Sequence, residues 1–119
     1  MDDWSNAPVK DRAAAHNRLS INLGDHDRRL LCVNLPLQVM AQTLRDHGHP
    51  EGDGASAYTL ARRFLREFPR YPVTRITIRP GEAYLAPTEN MLHDGHAVPD
   101  GHLDLQFSCR GRFRPPHAR

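Results

Sequence analysis

Several residue types are scarce in this sequence, and each scarcity excludes something. There are two cysteines, Cys32 and Cys109, too few for a disulfide framework and suited to a reducing compartment. No apolar run approaches the roughly 18 residues that a membrane-crossing helix needs. Met1 is followed by Asp2 and Asp3 rather than by a basic and then apolar leader. These features predict a cytoplasmic protein with no membrane partner. The chain also lacks a Gly-x-Ser-x-Gly elbow, a Walker loop and a Gly-x-Gly-x-x-Gly turn, which removes the common hydrolase and nucleotide-binding templates. At 119 residues it is expected to form a single domain, with 1–15 as a lead-in and 112–119 as an extended tail. Trp4, the only tryptophan, is expected to dock on the body.

What is abundant is arginine and histidine. Fifteen of the 16 basic residues are Arg, Lys10 being the exception, and there are eight His. Arg suits carboxylate and phosphate partners, and His suits metals and proton transfer. GC-rich coding also produces an Arg bias. A net charge of +2 distributed along the chain argues against nucleic acid as a partner. The most basic segment, 56–68, lacks the interleaved aromatics of a single-strand-binding surface.

Periodicity defines the elements. Arg18 to Leu23 alternates, with Leu19, Ile21 and Leu23 on one face and Arg18, Ser20 and Asn22 on the other, as in a half-buried strand. Gly24 to Asp27 reads as the turn of a hairpin into a second strand over 28–35. Asn34 and Pro36 open a helix whose Leu37, Met40, Ala41 and Leu44 form one apolar stripe, stopped at Gly48. A second helix spans 56–68 on Ala57, Leu60, Ala61, Phe64, Leu65 and Phe68, ended by Pro69 and Pro72. Strands are expected at 73–79, at 82–86 after the Pro80-Gly81 turn, and at 102–110. The segment 87–101 reads as a long polar loop. Strands at both ends with helices inserted predict an α+β fold with a small antiparallel sheet and two packed helices.

The segment Arg79-Pro80-Gly81-Glu82-Ala83-Tyr84-Leu85-Ala86-Pro87, continuing through Asn90 to His93-Asp94-Gly95, carries a spacing of interest. A Pro-Gly turn leads into a strand, a second Pro follows Gly81 in a Gly-x5-Pro pattern, and His93 comes shortly after. Over 73–107 this resembles the distal half of a cupin-like double-stranded β-helix, as in JmjC-like and other 2-oxoglutarate Fe(II) oxygenases. The resemblance implies a reduced barrel, with His93 as a metal ligand at its mouth. Arg110, on the last strand, would pair with the 2-oxoglutarate carboxylate, and Asn90 and Asp94 would act beside the metal.

The family's facial triad needs a second His and a carboxylate. Upstream, Asp25-His26-Asp27 offers His26 and Asp27, adjacent rather than spaced by one as the family has them. His47-x-His49-x-Glu51 has same-face spacing but lies in a Gly- and Pro-rich loop. Two readings follow. One is a small Fe(II)-dependent oxygenase of specialised metabolism acting on a small polar or amino-acid-like metabolite. The other is a binding or accessory subunit with the same sheet and no complete metal site. A reduced barrel leaves sheet edges to cover, so a homodimer is expected.

Overall fold

A computed structural model describes residues 7–49, 56–96 and 98–114. After a 3-10 helix at Val9–Ala14 come strands β1 (Asn17–Asn22) and β2 (Arg28–Cys32), helices α1 (Leu37–Asp46) and α2 (Ala57–Glu67), and strands β3 (Thr74–Ile78) and β4 (Ala83–Ala86). A short 3-10 helix (Thr88–Asn90) leads into β5 (His93–His96), and β6 (Gln106–Gly111) completes the order. The α+β class is as the periodicity predicts. No helix among the described residues is long and apolar enough to cross a membrane. Trp4, Glu51 and the end of the tail beyond Arg114 lie outside the described residues.

The strands form two antiparallel three-stranded sheets, ordered β4-β1-β6 and β3-β2-β5. This corrects the single sheet and the expected hairpin. β1 and β2 are consecutive yet belong to different sheets, because each finds its partners far along the chain. Leu19 pairs with Leu85 and Cys109; Leu30 pairs with Ile76 and Gly95. The Pro80-Gly81 turn also crosses between sheets, with Gly81 in the left-handed region at φ 84°. The expected loop 87–101 contains β5, a strand without a single apolar side chain and therefore without the pattern by which strands are recognised.

One residue ties the two sheets together. Asn22, 1% exposed, donates from Nδ2 to the carbonyls of His26 (2.8 Å) and Ile78 (2.9 Å), and its Oδ1 accepts from the Gly24 amide (3.0 Å). Its main chain adds bonds to Glu82 and Gly81 in the β3–β4 turn. Both amide hydrogens and the oxygen of this buried side chain are thus engaged by backbone groups of the two sheets' connections and edges.

The helices make a core of their own. Leu37, Met40, Ala41 and Leu44 of α1 meet Leu60 and Phe64 of α2, with Val9 and Val33, all buried. Phe68 and Tyr71 close on Phe64 at ring separations of 5.0 and 5.2 Å. Ser56 caps α2, accepting from the Thr59 amide at 3.1 Å. Asn34 does not cap α1: Pro36 stands at that position, without a side-chain bond. Gly48, at φ 83°, takes the chain out of α1.

Candidate functional site

A strand that alternates has two faces, and the pattern alone does not say which one turns inward. In β1 the buried residues are Ser20 and Asn22, whereas Leu19 and Ile21 are only half-buried and Leu23 is 49% exposed. The polar face therefore looks into the molecule, the reverse of the expectation. Its register neighbours are Tyr84 and Ala86 of β4 and Gln106, Ser108 and Arg110 of β6. Ser20 Oγ donates to Gln106 Oε1 at 3.1 Å, and Ser108 Oγ to Ser20 Oγ at 3.2 Å, so a line of hydroxyl and amide groups runs across the inner face.

Between this face and β3-β2-β5 lies a cavity of about 230 Å³. Arg18, Ser20, Tyr84 and Gln106 line it from one sheet, and Arg28, Arg29, His93 and Asp94 from the other. Three arginines and one aspartate are among the lining residues; Arg28 shares the face of buried Leu30 and Ile78, whereas Arg29 and Asp94 stand in the alternate rows and meet the cavity at its rim. Arg28 is ion-paired with Asp104. Arg18 stands 3.9 Å from Glu89, but Glu89 sits closer to Arg110, at 3.0 Å. Arg29 makes no ion pair among the described residues. Arg18 and Arg28 thus bring positive charge to the cavity, each with a carboxylate nearby, among neutral hydrogen-bonding groups.

Of the residues picked out in the sequence, His93 and Asp94 are brought together on this cavity. Asp94 accepts the Gly95 amide at 2.8 Å, and His93 Nδ1 stands 3.3 Å from the Met91 carbonyl. Asn90 lies elsewhere. Its amide is paired reciprocally with that of Gln38, at 2.6 and 2.8 Å, which fastens the β4–β5 connection to α1. Arg110 lines an adjoining hollow that shares Arg18 and Gln106 with the cavity, its side chain held by Glu89. His26 and Asp27 do not line the cavity. The His26 ring lies against that of His102, with centroids 4.3 Å apart. His49 pairs with Glu67 at 3.1 Å, and His47 Nδ1 meets the Thr43 carbonyl at 2.8 Å, both serving the helices.

No three His, Cys, Asp or Glu side chains among the described residues are grouped to hold a metal ion. The expected set of His93, His26 and Asp27 is not assembled as a triad, because the β1–β2 connection carries its histidine toward His102. The described residues do not supply the donor set of an Fe(II) centre. Cys32 is buried on the inner side of β2, and burial pushes its thiol up from the ordinary range, so it remains protonated and inert at neutral pH.

The residues that sequence reasoning missed are Arg18, Arg28, Arg29, Ser20, Tyr84 and Gln106. For Arg18, Ser20 and Gln106 the signal was the strand alternation itself, with the wrong face taken as buried. Comparison with protein-family models, curated proteins and solved structures finds no match to this chain.

Proposed function

We propose that this chain is a small-molecule binding protein of cupin-like architecture, whose inter-sheet cavity takes a small carboxylate-bearing metabolite. The observation that carries this reading is the lining: Arg18 and Arg28 stand with Ser20, Tyr84 and Gln106 around one cavity between the sheets. A guanidinium is built to hold a carboxylate through two parallel hydrogen bonds, and flanking hydroxyl and amide groups orient the rest of a small ligand. At about 230 Å³ the space suits a ligand smaller than a drug-sized molecule. Asp94 and His93 at its edge favour an amino group on the same ligand. The architectural part of the proposal rests on the strand order. All but one of the connections between successive strands pass from one sheet to the other, as in a double-sheet jelly roll. The described residues form six such strands rather than eight.

Glu89 acts as an internal competitor in this scheme, since it occupies Arg110 and approaches Arg18. The test is calorimetric titration with 2-oxoglutarate, glutamate, succinate and inorganic phosphate at low ionic strength. At least one carboxylate is expected to bind with a dissociation constant below about 1 mM. Arg18→Ala should weaken it by about tenfold or more, consistent with loss of a charge-assisted hydrogen bond, and added salt should weaken it further. If no probe gives heat or raises the melting temperature at about ten times that concentration, the reading fails.

The oxygenase reading retains one supporting observation: His93 opens β5 on the cavity, beside Asp94. The described residues add no third ligand. Anaerobic titration with Fe(II) separates the two readings. Stoichiometric iron that His93→Ala no longer retains would favour the oxygenase, and no retained iron favours the binding protein.

A further inference from the structure

The inversion of β1 has a counterpart on the other side of its sheet. The outward residues fall into register rows: Leu85-Leu19-Cys109, then Ala83-Ile21-Phe107. The ladder continues through the Leu23 amide, which bonds the Leu105 carbonyl at 2.9 Å and adds a Leu23-Leu105 row. These rows contain no charged residue. Charge begins at the next row, with Asp25, which is occupied by the Leu103 amide and His102. Leu23, Leu85, Leu105 and Phe107 are each about half exposed, at 49, 50, 49 and 52%. The helices do not cover this face, because their apolar stripes are spent on each other.

We infer that this outer face of β4-β1-β6 is a homodimer interface, with two copies packed sheet on sheet across a twofold axis. Three arguments select a second copy. First, with its outer rows the face presents about 500 Å² of apolar surface, at the upper end of what a monomer leaves uncovered. Two such faces together bury about 1,000 Å², the lower bound for a specific interface. Second, a twofold axis sets each patch against itself. A face carrying charge of one sign would repel its copy, whereas this one carries none. Third, aligned sheets pack face to face at about 10 Å through interdigitated side chains. A short apolar face of three strands, alternating large (Leu85, Phe107) with small (Ala83, Cys109) residues, supplies both knobs and gaps. The inference is independent of the ligand proposal, because it uses the opposite face of the sheet.

The test is sedimentation equilibrium of the chain over a concentration series, alone and as Phe107→Glu and Leu85→Glu. The wild-type chain is expected to be dimeric at about 100 µM and to dissociate on dilution, as suits an interface of this size. Each variant should raise the dissociation constant at least about 100-fold, since it places a carboxylate in a desolvated twofold contact. Both sites are half exposed, so circular dichroism should show the folded chain. A monomeric wild type overturns the proposal and leaves the face to a different protein. A dimer that survives both substitutions unchanged overturns it too, since the interface is then elsewhere. If the variants fail to fold, the wild-type chain alone still decides through thiol labelling. Cys109 lies on the face, while Cys32 is buried and serves as the slow internal reference. Labelling of Cys109 should slow about tenfold between dilute and concentrated protein; equal rates overturn the proposal.

Discussion

Asn22 is where a single side chain decides most. It serves the His26 carbonyl and Gly24 amide of the β1–β2 connection and the Ile78 carbonyl at the end of β3, and is itself 1% exposed. Truncation to alanine leaves those groups without partners, and each buried orphan costs about 1–3 kcal/mol. Asn22→Ala should therefore lower the unfolding free energy by about 2–4 kcal/mol in equilibrium urea denaturation. A loss below about 0.5 kcal/mol would show that the sheets are held together by other means. Thr88 is the opposite case. Its hydroxyl is buried and, among the described residues, has no hydrogen-bond partner. Thr88→Val keeps the shape and removes the unsatisfied group, so the melting temperature should rise, by the equivalent of about 1 kcal/mol. A destabilised Thr88→Val would mean that the hydroxyl is bound to water or ligand in solution.

At the scale of elements, the helices draw their stability from each other. Phe64 is 1% exposed and is the largest fully buried side chain, touching Phe68 and Tyr71. Phe64→Ala should cost about 3–5 kcal/mol, read from chemical denaturation, because the cavity it leaves is enclosed by both helices and cannot collapse. These helices were legible from sequence. Leu37, Met40, Ala41 and Leu44 repeat with the helical period, and Ser56 caps where a capping residue should stand. The strands were legible as strands but not as sheets. Alternation in Arg18–Leu23 separates two faces correctly, yet the choice of inner face depends on what Ser20 meets across the sheet, and Gln106 is 86 residues away. β5 was invisible because His-Asp-Gly-His offers no apolar residue to mark a face. The candidate site was half legible for the same reason. The Gly81–Pro87 spacing led to His93 and Asp94, which are local to it. Arg18, Arg28 and Arg29 reach the cavity only through long-range pairing, and their arginine identity merged into a composition rich in arginine everywhere.

For the whole molecule, these choices produce an unusual division. The helices hold an apolar core, the two sheets flank a polar cavity with arginines in its lining, and one sheet turns its apolar side outward. A charged interior is costly to empty of solvent, so the sheet pair is the part of the molecule most open to stabilisation by a bound anion. The helical core is the part least affected. Ligand and second copy would act on opposite faces of β1, the central strand of its sheet. Both therefore bear on the same six residues, Asn17–Asn22.

The route of the chain through the two sheets has a kinetic consequence. β1 is among the first elements to be synthesised, yet its neighbours are β4 and β6, and the hydroxyls of Ser20 and Ser108 that meet across the sheet are 88 residues apart. Local turns give it no partner, because the strand that follows leaves for the other sheet. Loop closure over such distances must precede any reward from pairing, which places folding in the slow range typical of non-local β topologies. During that wait Leu19 and Ile21, with their alternating pattern and no partner strand, are exposed to other chains. A growing polypeptide of this sequence would thus depend on chaperone cover until β6 has been made, and the helices 37–46 and 57–67, closed by contacts within 31 residues, would be the first part to stand without it.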